Sequence, residues 1–215
     1  MTSEEWNATT SPQPMLEFLR GRASERKLRL FAVACCRRIK TMLTDKGVLA
    51  VEGAELFADG LFSERGLHAA WNSVGFPKAR HRAYAASAAR AVSQSVPGLD
   101  LTAHAAASAV NAVGADGNPR KSDELRHTER ASQAELLRDI FNPFCFTAFD
   151  PSWRTSTVLA LAQMCYTERS FDLLPILADA LEDAGCEDED ILNHLREPRL
   201  HVRGCWVVDL VLDRE

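Results

Sequence analysis

Four residues able to hold a metal ion fall close together near the end of the chain: Cys186, His194, His201 and Cys205. Thiolate sulfur and imidazole nitrogen are the donors that a tetrahedral zinc ion takes, so the pattern Cys-x7-His-x6-His-x3-Cys names the chemistry this segment could do. Zinc fingers place at least one ligand pair on a short knuckle, and only His201 and Cys205 come near that spacing. The spacing therefore favours a plainer account. In it Cys186 and Cys205 are small buried apolar residues, and the histidines donate to carbonyls left open at helix ends. A nucleophile at Cys205, activated by His201 or His194, would need a thiolate-stabilising setting and an oxyanion-binding pair that the sequence does not display.

Positioning these residues takes a turn, a short helix and a closing helix. Gly185 is placed to end a helix in the left-handed conformation, and Asp188 to cap a short helix over 191–195 that carries His194. Pro198 keeps the following residues extended. A last helix then holds Cys205, Trp206, Val207, Leu210 and Val211, and His201 shares a face with Cys205 only if that helix begins by His201.

Upstream, apolar residues recur at three and four positions, with no sustained period-two alternation. The expected class is all-α, a compact array of antiparallel helical hairpins. Helices are expected over 15–20, 24–43, 46–58, 63–74, 77–96, 100–113, 122–141, 155–168 and 172–184, with Pro77 in a first turn and Asp100 and Ser122 as caps. In 24–43 the core face is Leu28, Phe31, Ala32, Cys35, Ile39 and Met42; Arg26, Lys27, Arg29, Arg37, Arg38 and Lys40 read as a solvated face. The 77–96 and 100–113 arms are rich in alanine, which lets two helix axes approach closely. Three aromatic rings in the 141–146 loop predict that it is partly buried.

The whole chain, 1–215, reads as one helical domain, with the Gly114-Ala115-Asp116-Gly117-Asn118-Pro119 turn as the place for a subdivision into 1–113 and 120–215. Residues 1–130 carry 18 Lys and Arg against 14 Asp and Glu, while residues 131–215 carry 7 against 16. The acidic second half argues against nucleic-acid binding there, because neutralising phosphates needs clustered cations. Basic charge on 24–43 without interleaved aromatic residues is a poor nucleic-acid signature as well.

No apolar run approaches the length of about eighteen residues that a membrane span needs. The first residues lack the basic-then-apolar order of a secretory signal, so a cytoplasmic location is expected, and the six cysteines read as reduced thiols. Glycine-rich phosphate loops, serine elbows, His-Glu-x-x-His helices and calcium loops do not occur in the sequence.

Met15-Leu16-Glu17-Phe18-Leu19-Arg20-Gly21, Arg26-Lys27-Leu28-Arg29-Leu30-Phe31-Ala32, Cys35-Cys36-Arg37-Arg38 and His201-Val202-Arg203-Gly204-Cys205-Trp206 carry a resemblance. The chain resembles a large family of planctomycete bacterial proteins with no established activity. The resemblance implies a bacterial, cytoplasmic protein and no catalytic residues. Where relatives often carry a Gly-Pro-Gly-Pro turn, this chain has Glu197-Pro198-Arg199-Leu200. The functional expectation from these features is a non-catalytic helical module that docks a protein partner. The alternative is a zinc-binding protein or metal-dependent enzyme using Cys186, His194, His201 and Cys205.

Overall fold

Small polar residues stand at the starts of the apolar periodic stretches, and their side chains accept the amide hydrogens that a helix leaves open in its first turn. Ser24 accepts from Lys27, Thr44 from Gly47, Ser63 from Gly66, Thr155 from Val158 and Asp188 from Ile191. The computed structural model describes residues 1–94, 98–115, 118–144 and 149–214. Among the described residues all regular structure is helical, and no strand occurs.

In chain order the α-helices are α1 (Ser3–Ala8), α2 (Pro12–Phe18), α3 (Glu25–Arg38), α4 (Asp45–Ala58), α5 (Glu64–Ser73), α6 (Arg80–Val92), α7 (Leu99–Val113) and α8 (Pro119–Ile140). They are followed by α9 (Ser156–Glu168), α10 (Leu174–Asp183), α11 (Glu189–Arg196) and α12 (Trp206–Val211). Three starts differ from expectation. Ala79 is the extended residue before α6, which leaves Pro77 outside the helix. Gly98 precedes α7, so Asp100 lies inside the first turn, where its charge favours the positive end of the helix dipole. Asn118 takes the capping position expected of Ser122, its Oδ1 accepting from the Lys121 amide.

Contacts group Met1–Leu137 into one unit and Arg138–Glu215 into another. Of the 114–119 turn, Asp116 and Gly117 lie outside the described residues, as do Ser95, Val96 and Pro97 between α6 and α7. In the first unit α3, α4, α6 and α7 pack on one another, and α6 meets α7 through buried alanines such as Ala85, Ala89, Ala105 and Ala109. Of the basic residues expected on a solvated face over 24–43, Arg38 and Lys40 are exposed and Arg26, Lys27 and Arg37 half-buried, but Arg29 departs from it. Arg29 is buried and donates to the carbonyls of Val92 and Gln94 at the end of α6, while Arg37 pairs with Glu55 at 2.7 Å and Arg38 with Glu129 at 3.0 Å. Burial holds the Arg29 guanidinium down at about 10. Desolvated carbonyls at a helix end need donors, and a planar guanidinium supplies several from one side chain.

In the second unit the last turn of α8 is followed by α9 to α12, with α10 against α9 and α11, and α12 against α9 and α11. Val158, Tyr166, Leu177, Ile191, Leu195 and Val207 are buried in its core. Of the aromatic loop, Phe141 is buried and Phe144 half-buried, and residues 145–148 lie outside the described set.

Among the described residues no helix is long and apolar enough to cross a membrane.

Candidate metal centre

The second unit brings four side chains from three places in the sequence to one point. Asp139 is the penultimate residue of α8, one turn from Leu136 on the helix stripe that also carries Ile140, and it is completely buried. His194 lies near the end of α11, which starts from the Asp188 cap just after Gly185 has reversed the chain at φ +92°. His201 sits in the extended segment that follows. Cys205 comes next, after a tight turn in which its amide donates to the Val202 carbonyl at 3.0 Å and Gly204 takes φ +98°. α12 begins only at Trp206, with Cys205 as its cap residue. His201 and Cys205 are therefore joined by a turn and not by a shared helix face.

Asp139 is the hub. Its Oδ1 lies 2.7 Å from His201 Nδ1 and 3.3 Å from His194 Nε2, and its Oδ2 accepts from the Val202 amide at 2.8 Å. His194 Nε2 also lies 3.2 Å from Cys205 Sγ, and its Nδ1 accepts from the indole N–H of Trp206 at 2.9 Å. The two imidazoles meet edge to face with their centroids 5.2 Å apart. His201 Nε2 is buried and has no hydrogen-bond partner among the described residues.

These contacts set the protons. An indole N–H only donates, so His194 Nδ1 must offer its lone pair and the hydrogen of the neutral ring sits on Nε2, facing Asp139 and Cys205. His201 donates from Nδ1, which leaves the lone pair of its Nε2 open. Burial pushes the His194 imidazolium toward its neutral form and outweighs the attraction of Asp139. Burial would raise the Asp139 carboxyl, but the hydrogen bonds from His194 and His201 prevail and hold it below the usual carboxylate range. Burial, reinforced by the Asp139 charge, pushes the Cys205 thiol well up. A thiol held in this protonated form is a poor nucleophile.

The ligand atoms of Asp139, His194, His201 and Cys205 all lie within 4.8 Å of one another, and all four residues are buried. This group could hold a metal ion. Ligands bound to a tetrahedral ion at about 2.0–2.3 Å stand roughly 3.3–3.8 Å apart. The separations of 3.2 Å and 3.3 Å around His194 Nε2 are already close to that, while the 2.7 Å between His201 Nδ1 and Asp139 is a hydrogen-bond length that would have to open.

Three of the four ligands expected from sequence are thus gathered, and Cys186 is not among them. Cys186 closes the turn after α10, its amide donating to the Leu181 carbonyl at 2.9 Å, and its side chain is buried in the core of the unit. Its place is taken by Asp139, which lies far upstream and at the end of a largely polar helix. Comparison of the chain with protein-family models, with curated proteins and with solved structures finds no match.

Proposed function

We propose that this protein binds zinc, and that Asp139, His194, His201 and Cys205 are the ligands of a structural ion in its second unit. The observation that carries this reading is the convergence of one carboxylate, two imidazoles and one thiol within 4.8 Å of one another, all four residues buried. Nitrogen and sulfur donors suit zinc better than magnesium or calcium, which take oxygen ligands. Four protein ligands complete a tetrahedron and leave no position for water or substrate, so the ion would hold the fold and not catalyse. The ion would also ionise the Cys205 thiol that burial otherwise keeps protonated, and so would release a proton on binding. A closed site of this kind accords with the non-catalytic, partner-docking role expected from the sequence.

The test is elemental analysis of untagged full-length protein purified from zinc-supplemented cells. The expected content is about one zinc per chain, retained in Cys186→Ala and lost in Cys205→Ala and in Asp139→Ala. Less than roughly a tenth of an equivalent in the unaltered protein would refute it.

A further inference from the structure

The Trp206 indole occupies the wrong side of a hydrogen bond for a metal-bound His194. An imidazole that coordinates through Nε2 carries its hydrogen on Nδ1 and donates from there, as metal-ligating histidines regularly do to an acceptor. Here Nδ1 faces a group that can only donate, the indole N–H at 2.9 Å. The other donor atoms approach from the opposite edge of the ring, Asp139 Oδ1 at 3.3 Å and Cys205 Sγ at 3.2 Å from Nε2. The ring cannot bond the ion at Nε2 as a neutral ligand and keep the Trp206 hydrogen bond at the same time.

We infer that Trp206 is a latch on this centre: its indole N–H holds His194 in the tautomer that cannot ligate, and loading the ion requires the indole to leave. The inference rests on the zinc reading above. Position favours such a movement. Trp206 is the first residue of α12, follows the ligand Cys205 directly, and is buried with 8% of its surface exposed, the most of the buried residues in that core cluster among the described residues. Its ring packs edge to face on His194 with centroids 5.1 Å apart, so turning His194 or binding an ion to it is transmitted to the indole at once. The two states are an indole bonded to His194 with the site empty, and an indole released with the site loaded. Metal occupancy is thereby converted into exposure of an aromatic side chain at the start of α12.

The experiment uses full-length protein, zinc chloride as the probe and nitrogen-15 labelling of the tryptophans and histidines. The indole resonance of Trp206 is assigned by its loss in Trp206→Phe, and zinc affinity is measured for both proteins by competition with a chromophoric chelator. The expected result is that zinc shifts the Trp206 indole resonance and moves the hydrogen of His194 from Nε2 to Nδ1. Trp206→Phe, which keeps an aromatic ring but has no N–H, binds zinc about twofold to tenfold more tightly, the worth of one competing neutral hydrogen bond. Zinc binding by Trp206→Phe alone would support the latch in its strongest form. Zinc binding with an unmoved indole resonance, or equal or weaker affinity in Trp206→Phe, overturns the latch and leaves the zinc reading standing. Absence of binding in both proteins overturns the two together. Should Trp206→Phe fail to fold, the indole resonances of Trp6, Trp71 and Trp153 are assigned by their own phenylalanine variants, and the remaining one, that of Trp206, decides in the labelled unaltered protein.

Discussion

Asp139→Asn keeps the shape of the hub and removes its charge. Three donors converge on the Asp139 carboxylate: His201 Nδ1–H and His194 Nε2–H on Oδ1, and the Val202 amide on Oδ2. An asparagine can turn its one carbonyl toward the two rings, but its amino group then faces the Val202 amide, donor against donor. The half-buried Val202 amide, left without an acceptor, costs about 1–3 kcal/mol, and the two ring bonds each drop from a charge-assisted value to a neutral one, a loss of roughly 1 kcal/mol apiece. The expected destabilisation is about 3–5 kcal/mol, large against total stabilities of about 5–15 kcal/mol. Urea unfolding of the full chain at pH 7 with a chelator present, followed by tryptophan fluorescence, measures this hydrogen-bond contribution free of any metal. The midpoint should fall with little change in slope. A further signature is its dependence on acid. The folded carboxyl lies below its unfolded value, so its stabilisation is complete above about pH 4 and is lost as the pH falls toward the folded value. The gap between the two proteins must therefore narrow below about pH 4. A loss smaller than about 1 kcal/mol at pH 7 would refute the view of Asp139 as a buried, triply bonded anion.

Asp188→Ala removes the acceptor for the Ile191 amide at the start of α11 and is expected to cost about 1 kcal/mol in the same unfolding assay. Gly204→Ala forces a β-carbon into a backbone at φ +98°, a cost of about 1–2 kcal/mol or more, and because that turn joins His201 to Cys205 it should also lower the zinc content found by elemental analysis. Cys35 and Cys36 are fully buried, and burial raises both thiols, Cys36 to about 12. Peptide mapping after iodoacetamide treatment at pH 8 should find both unmodified in folded protein. Because the unfolded thiols ionise near pH 8.5 and the folded ones do not, stability should decline as the pH rises past that value.

Helices were legible because one physical rule, burial of one face, writes the same period into every segment. Leu28, Phe31 and Cys35 are buried along α3, and Ile39 at its cap, as their spacing requires. The limits of that rule show at Arg29 and Arg37, where charge alone suggests solvent. Their partners, the end of α6 and Glu55, come from distant segments that periodicity cannot bring together. At the candidate centre His194, His201 and Cys205 were visible as residue types, whereas Cys186, near them in sequence, is directed into the core by the turn after α10. Asp139 carried a signal that could have been read. A carboxylate one turn from Leu136 and next to Ile140, on the stripe those two residues bury, is an acid on the wrong side of its helix unless something there needs it.

The alanine interface of α6 and α7 bears on how the first unit responds to heat. A methyl group has no rotamers to freeze, and alanine is the residue most at ease in a helix, so ordering these arms sacrifices little beyond backbone freedom. The same methyl groups hide little oily surface, so separating the arms adds a small heat-capacity increment per residue. This pair therefore holds with a strength that varies gently between cold and warm, where an interface of leucines and phenylalanines would weaken more steeply on cooling.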